Sequence, residues 1–521
     1  TYTVAYNLAR QKLTFPAAGG SEKRLDTENG ELLIFGGDEV YPTASKKDYN
    51  ERLVYPYRSA SRQLTPSDDD PKPAVFAIPG NHDWYDSLTE FATLFCKGNE
   101  FAGWQTYQNR SYFAVKLPHG WWIFGTDMQL ASTLDGPQEH YFKAIIDNHF
   151  KAGDRIILCN AEPWWITKEM YKSDPNYKNP RMGFFEGHLL RDRIAIHIAG
   201  DRHYYKRHEE IEDDKEPVAP ANPSKRQKIV AGGGGAFLHP THLENVDKIG
   251  SRHIYDLKAS FPSEADSSSL TYKNLGFLFL NLKFGIVTGL LYLLVFQAFA
   301  PADLGRFGIT EWWPALKAVA HTATFYPIAT LFVALIFAAF YFFTDTHTKY
   351  WRYAAGPIHA AVNLIAIFGL SWFAAYVTSG LPTWAKYLAA AGIVYLGGHI
   401  LGSFIMGVYL LLSLQGIGVH HNEAFSALKI ADFKNFLRMR IDTNGDLTIF
   451  PIGIKRANTD WLNDNTKART ADWLPGKNPT KDSDPFLIEP PITYAKPAMT
   501  TVQAVKAATI QPTESIVAHE I

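Results

Sequence analysis

The chain has 521 residues, too many for one ordinary hydrophobic core, so two or three folded units are expected. Its 51 basic and 52 acidic side chains give a formal charge of −1 and a pI near 7, which excludes a global field drawing it to nucleic acid or a membrane surface. Two cysteines, Cys96 and Cys159, exclude a disulfide framework and fit a reducing compartment.

The sequence opens at Thr1 with no charged-then-apolar leader, and it reads as a fragment whose start lies elsewhere. Thr1 to Arg24 reads as a helix followed by a loop, with Tyr2, Val4, Ala5, Leu8 and Leu13 as a rough apolar stripe. Glu31 to Phe35 is a short apolar run that stops at Gly36-Gly37-Asp38. Ala74 to Ile78 repeats the design and stops at Pro79-Gly80-Asn81-His82-Asp83. Buried strands that end in glycine and then Asp or Asn present side-chain oxygens at the carboxyl edge of a sheet, where open α/β sheets hold their sites.

Arg110 to Leu117 and Trp121 to Gly125 form an expected hairpin with Pro118-His119-Gly120 as its turn. Gln138 to Phe150 reads as helix, and Arg155 to Cys159 and Arg193 to Ala199 as further short strands. Residues 208–228 form a solvated loop, after which Lys228 to Ala231 enters Gly232-Gly233-Gly234-Gly235. No Gly-Lys-Ser/Thr follows, so this is no phosphate loop; the glycines let backbone pass close to its neighbours.

The character changes near Leu275. Apolar segments follow at about 276–300, 323–343, 358–378 and 387–414, each close to or above the ~20 residues that cross a bilayer. An α-helical membrane bundle of four spans is expected. Arg252, Lys258, Lys273, Lys349, Arg352, Lys429, Lys434, Arg438 and Arg440 flank one side of it; Arg306, Lys317 and Lys386 flank the other. The basic side carries both chain ends, so the front domain is expected to be cytoplasmic. Beyond the spans, Thr443-Asn444-Gly445 signals a hairpin between Phe436 to Ile441 and Asp446 to Ile454. Asp442, Asn444 and Asp446 imitate a calcium loop, but Leu447 and Gly453 stand where that loop needs glycine and a bidentate acid. The expected division is therefore 1–250, 275–415, 416–470 as a small cytoplasmic segment with the hairpin, and 471–521 as a disordered tail.

Gly37-Asp38, Gly80-Asn81-His82-Asp83, Thr126-Asp127 with Gln138, and Gly200-Asp201-Arg202-His203 together resemble the motifs of the calcineurin-like metallophosphoesterases, over about residues 1–245. The resemblance implies a four-layer αββα sandwich for the front domain. It also implies two divalent metal ions (manganese, iron or zinc) and a metal-bound hydroxide that attacks a phosphoester. Carried over by position, the metal ligands are Asp38, Asn81 and His203, with Asp201 in place of the family's imidazole. His82 becomes the acid and Asp83 the carboxylate that orients it.

The physical case stands beside the resemblance. Two cations ~3.5–4 Å apart need a bridging carboxylate such as Asp38 and can clamp the attacking and leaving oxygens of an in-line displacement. Asn81 adds a neutral amide oxygen, and Asp201 shifts preference toward harder ions such as Mn²⁺. His82 protonates the leaving oxygen.

Two departures bear on activity. The family's opening Asp element is missing from Thr1 to Asn7; either it lies upstream of Thr1 or it never existed, and without it one metal site is short of a ligand. Where the family places a histidine after the Ile156 strand, the sequence reads Asn160-Ala161-Glu162, leaving Asn160 or Glu162 as the substitute. His239 and His242 follow the glycine run; they either touch substrate or metal, His239 as a substrate-binding residue, or are ordinary loop histidines. His197 reads as a core histidine. Trp164, Trp165, Phe184 and Phe185 read as core or interface aromatics rather than as a cover for an apolar substrate.

The leading expectation is a membrane-anchored metallophosphoesterase acting on a phosphoester, with the lipid bilayer as its other partner and no nucleic acid. A catalytically decayed membrane sensor or scaffold that retains the fold is the alternative. A transporter is the third reading, disfavoured because His359 and His399 are the chief ionisable groups within the spans.

Overall fold

A computed structural model describes residues 1–16, 24–64, 72–128, 134–172, 182–211, 224–250, 253–344, 349–464, 472–495 and 517–518. The chain divides into two compact units: Thr1–Ser267 together with Ala431–Ile521, and Ser268–Ile430.

The first unit is mixed α/β with several sheets. Leu32–Phe35, Ala74–Ala77 and Trp104–Thr106 pair in parallel, with Glu100–Phe101 antiparallel at the edge. A nine-stranded sheet has four parallel strands at its centre, in the order Gln227–Ala231, Ile194–Ala199, Arg155–Asn160 and Trp121–Thr126. The parallel strands read as near-continuous apolar runs because both of their faces are covered. Phe76 and Ile78 of the smaller sheet share a core with Val115, Ile123, Ile157, Ile196 and Ile229 of the larger, so the two sheets pack face to face. On the far side of the smaller sheet, Leu33, Val75 and Ala77 meet Tyr49, Leu53, Tyr57, Phe91 and Phe95 from helical segments. On the far side of the larger sheet, Phe124 stacks on Phe142 of helix Gly136–His149 at 4.9 Å. The period of two along a strand explains why Trp121 and Ile123 enter the inter-sheet core while Trp122 and Phe124 face helix.

Three expectations for this unit are corrected. Residues 208–211 and 227–228, expected in a solvated loop, lie in the paired strands Tyr205–Ile211 and Gln227–Ala231, where His208, Gln227 and Lys228 are buried. Residues 12–16, expected as loop, form a strand paired with Arg24–Glu28, because Leu13 and Phe15 alternate with exposed neighbours and have a core to enter. Residues 431–470 are not a separate segment, nor is the start of 471–521 a disordered tail. Lys434–Ile441 and Leu447–Ile454 pair across the Asn-Gly turn and continue to Phe486–Leu487 and Ile492–Tyr494. Leu447, Ile449 and Tyr494 join the inter-sheet core, and Phe436, Phe450, Ile452 and Ile454 pack on Val4, Leu13 and Phe15. A lone hairpin cannot bury its apolar face, so it takes one offered by the earlier chain. Residues 496–516 and 519–521 of the expected tail, and 212–223 of the expected solvated loop, lie outside the described residues.

The second unit is helical. Tyr350–Val377 and Thr383–Ile417 are each long and apolar enough to cross a membrane. Glu264–Leu280 with Leu282–Ala298, bent by 62°, and Trp312–Phe325 with Pro327–Phe343, bent by 93°, raise the number of candidate spans to four if each pair is one. Leu290, Leu294, Leu331, Leu335, Ile365, Leu388 and Leu396 are exposed, an outward apolar surface that suits lipid rather than water. Helices Leu282–Ala298 and Thr383–Ile417 approach through small residues: a Cβ at Gly285 would fall 2.6 Å from the His399 ring, and one at Gly402 would fall 2.7 Å from Thr288. His399 is thereby a packing residue between two helices.

Candidate metal centre

Strands from both sheets deliver their carboxyl ends to one place, and glycine makes the approach possible. Gly37 has φ +99°, and a Cβ there would lie 2.8 Å from Ala161 Cβ; a Cβ at Gly80 would lie 2.1 Å from Asp38 Oδ1. The backbone N–H of Gly200 donates to the Ala161 carbonyl at 3.0 Å, joining two strand ends of the larger sheet. Asp38 and Asp201, each just past a strand, both adopt left-handed backbone (φ 52° and 53°). Two non-glycine residues held in that region, one at the end of a strand in each sheet, are the kind of local strain that gathers at functional sites.

The charges explain why a cation suits this edge. Burial pushes the Asp38 carboxyl up to about 7, with Asp83 and Asp201 adding their repulsion against the His82 N–H, which donates to Asp38 Oδ1 at 3.0 Å. Burial also raises Asp201, with Glu162 and Glu244 adding to it while Arg202 and His82 oppose it. Arg202 Nε stands 3.7 Å from Asp201 and 3.9 Å from Glu244. Burial holds His203 down to about 3, aided by the Lys434 charge, so its imidazole is neutral near pH 7. Its Nδ1 is buried with no hydrogen-bond partner among the described residues. A crowd of buried carboxylates beside a neutral imidazole is a donor set that fits divalent cations. Among the described residues, however, no three His, Cys, Asp or Glu side chains stand together in ready coordinating geometry.

The predicted residues fall as follows. Asp38, His82, Asp83, Asp201 and His203 gather, and Glu162 lies within electrostatic reach of Asp201. Asn81 Nδ2 donates to Tyr85 Oη at 3.3 Å, directing its amide oxygen away from that ring. His82 Nδ1–H donates to the Pro42 carbonyl at 2.7 Å. That corrects the role expected for Asp83, which is fully buried and accepts from Gly80 N at 2.9 Å, Glu39 N at 3.4 Å and Tyr49 Oη. Asp83 knits the loops together, because it begins a short helical turn facing the interior, whereas His82 faces outward. Asn160 Oδ1 already accepts from Thr126 Oγ1 at 2.7 Å, while Glu162 Oε1 accepts from Thr167 at 3.0 Å. His239 stacks on His203 with centroids 4.0 Å apart, and its Nδ1 accepts from the His203 N–H at 3.4 Å. His197 is the core histidine expected, its Nε2 3.0 Å from Glu186.

Sequence reasoning missed Tyr41, whose ring lies 4.2 Å from His82 and 5.8 Å from His203, and Phe237, 5.1 Å from His203. Tyr41 follows Gly37-Asp38 by three positions, which is the signal it gave. Asp127 and Gln138 form a latch. The Asp127 N–H donates to Gln138 Oε1 at 3.0 Å, and Gln138 Nε2 returns a bond to the Asp127 carbonyl at 2.8 Å. Trp164, Trp165 and Phe185 are buried core, and Phe184 is exposed.

Compared with family models, curated proteins and solved structures, the chain matches none.

Proposed function

We propose that the first unit is a metal-dependent phosphoester hydrolase of the calcineurin-like metallophosphoesterase type, carried by a membrane-spanning unit. The observation that carries this reading is the convergence of Asp38, His82 and the Asp201–His203 turn from three separate strand ends. The stacking of helix, sheet, sheet and helix supports the four-layer αββα arrangement that the motifs imply. Asp38, Asn81, Asp201 and His203, with Glu162 as the substitute for the absent histidine, would hold two divalent cations of the manganese, iron or zinc type. When bound, such a pair supplies charge neutralisation of the phosphate and a water activated for in-line attack.

The chain's own groups do the rest. The Pro42 carbonyl holds the His82 ring through Nδ1–H, so the imidazolium form gives its Nε2 proton to the leaving oxygen and is left as the neutral Nδ1–H tautomer. Tyr41 and Tyr85 flank the His82 ring, and Phe237 packs on Tyr41. The substrate is a phosphoester reached from the side of the membrane on which the basic flanks lie, which makes the unit cytoplasmic.

The test is hydrolysis of an aryl phosphate by the full-length protein with Mn²⁺. Asp38→Asn and His82→Ala each lower kcat/KM by about 10²–10⁴-fold, and retained activity in both withdraws the assignment. A second reading, a decayed sensor or scaffold, draws on the lack of three preassembled ligands among the described residues. A folded protein with neither Mn²⁺ binding nor hydrolysis favours it.

A further inference from the structure

The helical unit interrupts the first unit in sequence, and chain from beyond the interruption returns to the edge of the candidate centre. The strand Lys434–Ile441 begins there. Lys434 and Asn435 are 4 % and 1 % exposed. The Asn435 N–H donates to the Gly233 carbonyl at 3.2 Å, and Asn435 Oδ1 accepts from the Gly233 N–H at 3.4 Å. Lys434 Nζ donates to the Ala236 carbonyl. A Cβ at Gly233 would lie 2.0 Å from Asn435 Nδ2, so only glycine lets the two segments approach this closely. The segment held in this way runs directly into Phe237, edge-on to His203 at 5.1 Å, and His239, stacked on His203 at 4.0 Å.

We propose that Lys434 and Asn435 are positioning residues for the candidate centre. Clamping the glycine loop from the far side of the membrane unit in sequence, they keep Phe237 and His239 braced against the His203 imidazole. Asn435 Oδ1 and Lys434 Nζ are bonded to loop backbone, and Asn435 Nδ2 is buried with no hydrogen-bond partner among the described residues, so both residues act on the centre through the loop. The proposal rests on the phosphoesterase reading and deepens it: the centre is shaped only once the chain beyond the membrane helices has docked. Partners that orient a metal-bound imidazole in this way are worth about 10–100-fold in metal affinity.

Full-length protein in detergent is the material for the test. In Asn435→Ala, backbone hydrogen exchange over residues 232–239 rises by about tenfold or more, and Mn²⁺ affinity falls about tenfold or more. Lys434→Met acts in the same direction. Asn435→Asp keeps an acceptor for the Gly233 N–H and returns both readouts toward the parent values, which a general loss of folding does not do. Unchanged exchange in Asn435→Ala overturns the clamp. Unchanged Mn²⁺ affinity in that variant, where His203→Ala loses it, overturns the positioning role. A parent protein that binds no Mn²⁺ overturns the phosphoesterase reading itself, and it is told apart because loop exchange in Asn435→Ala still rises.

Discussion

Asp38 concentrates the physical tension of the centre. Its carboxyl is pushed from 3.8 to about 7 by burial and by the carboxylates of Asp83 and Asp201. A carboxyl raised on folding contributes stability that is full below pH ~4 and lost as pH rises through about 7, because the folded state favours the neutral acid. In protein stripped of metal, thermal stability therefore falls between pH 5 and 8 by more in the parent than in Asp38→Asn. That difference is on the order of a few kcal/mol. Mn²⁺ reverses the loss by stabilising the carboxylate. Melting curves of both proteins with EDTA and with Mn²⁺ read the effect; equal slopes in parent and variant sink it. Asp83 stands beside Asp38 with a different task, since Tyr49, Gly80 and Glu39 all donate to it. Sequence made both carboxylates visible, each at the end of its own strand-and-glycine motif. Which of them faces the opening and which faces the interior depends on a turn of backbone at His82, and no pattern of residue types reports that.

At the scale of elements, the strand Lys434–Ile441 is the tie that closes the first unit. Arg438 is 6 % exposed, and its guanidinium donates to the carbonyls of Thr27 (2.9 Å), Asn7 (3.2 Å), Leu8 (3.0 Å) and Arg10 (2.6 Å). Thr27 lies in the strand paired with Lys12–Pro16, whereas the Asn7, Leu8 and Arg10 carbonyls belong to the end of the first helix, where helical bonding runs out. Arg438→Met leaves them buried and unpaired, so it costs on the order of 3 kcal/mol and lowers the melting temperature. Limited proteolysis locates the weakness at the N-terminal hairpin, and unchanged cleavage there removes the argument. The hairpin itself was legible from Asn444-Gly445 and its alternating flanks. Its destination was not, because alternation says that one face is apolar but not which other apolar face lies across from it.

At the scale of the molecule, two to four candidate spans sit between the two sequence parts of the first unit. The proposed orientation makes the first unit cytoplasmic. Cys96 is half-buried and Cys159 buried, so native thiols give little background. In Lys47→Cys, at a side chain 79 % exposed, an impermeant maleimide labels the protein only after cells are opened. Labelling of intact cells reverses the orientation.

The sequence by itself determined the strands that end in Gly-Asp and Gly-Asn-His-Asp, the long apolar helices and the Asn-Gly hairpin, because each is written in local spacing and residue type. Tertiary structure alone decided that Asp83 serves backbone rather than His82, that Tyr41 and Phe237 flank the imidazoles, and that residues 431–495 return to the first unit. Those outcomes depend on which buried faces meet across long stretches of chain, and the free energy of that meeting belongs to pairs of surfaces rather than to any one segment.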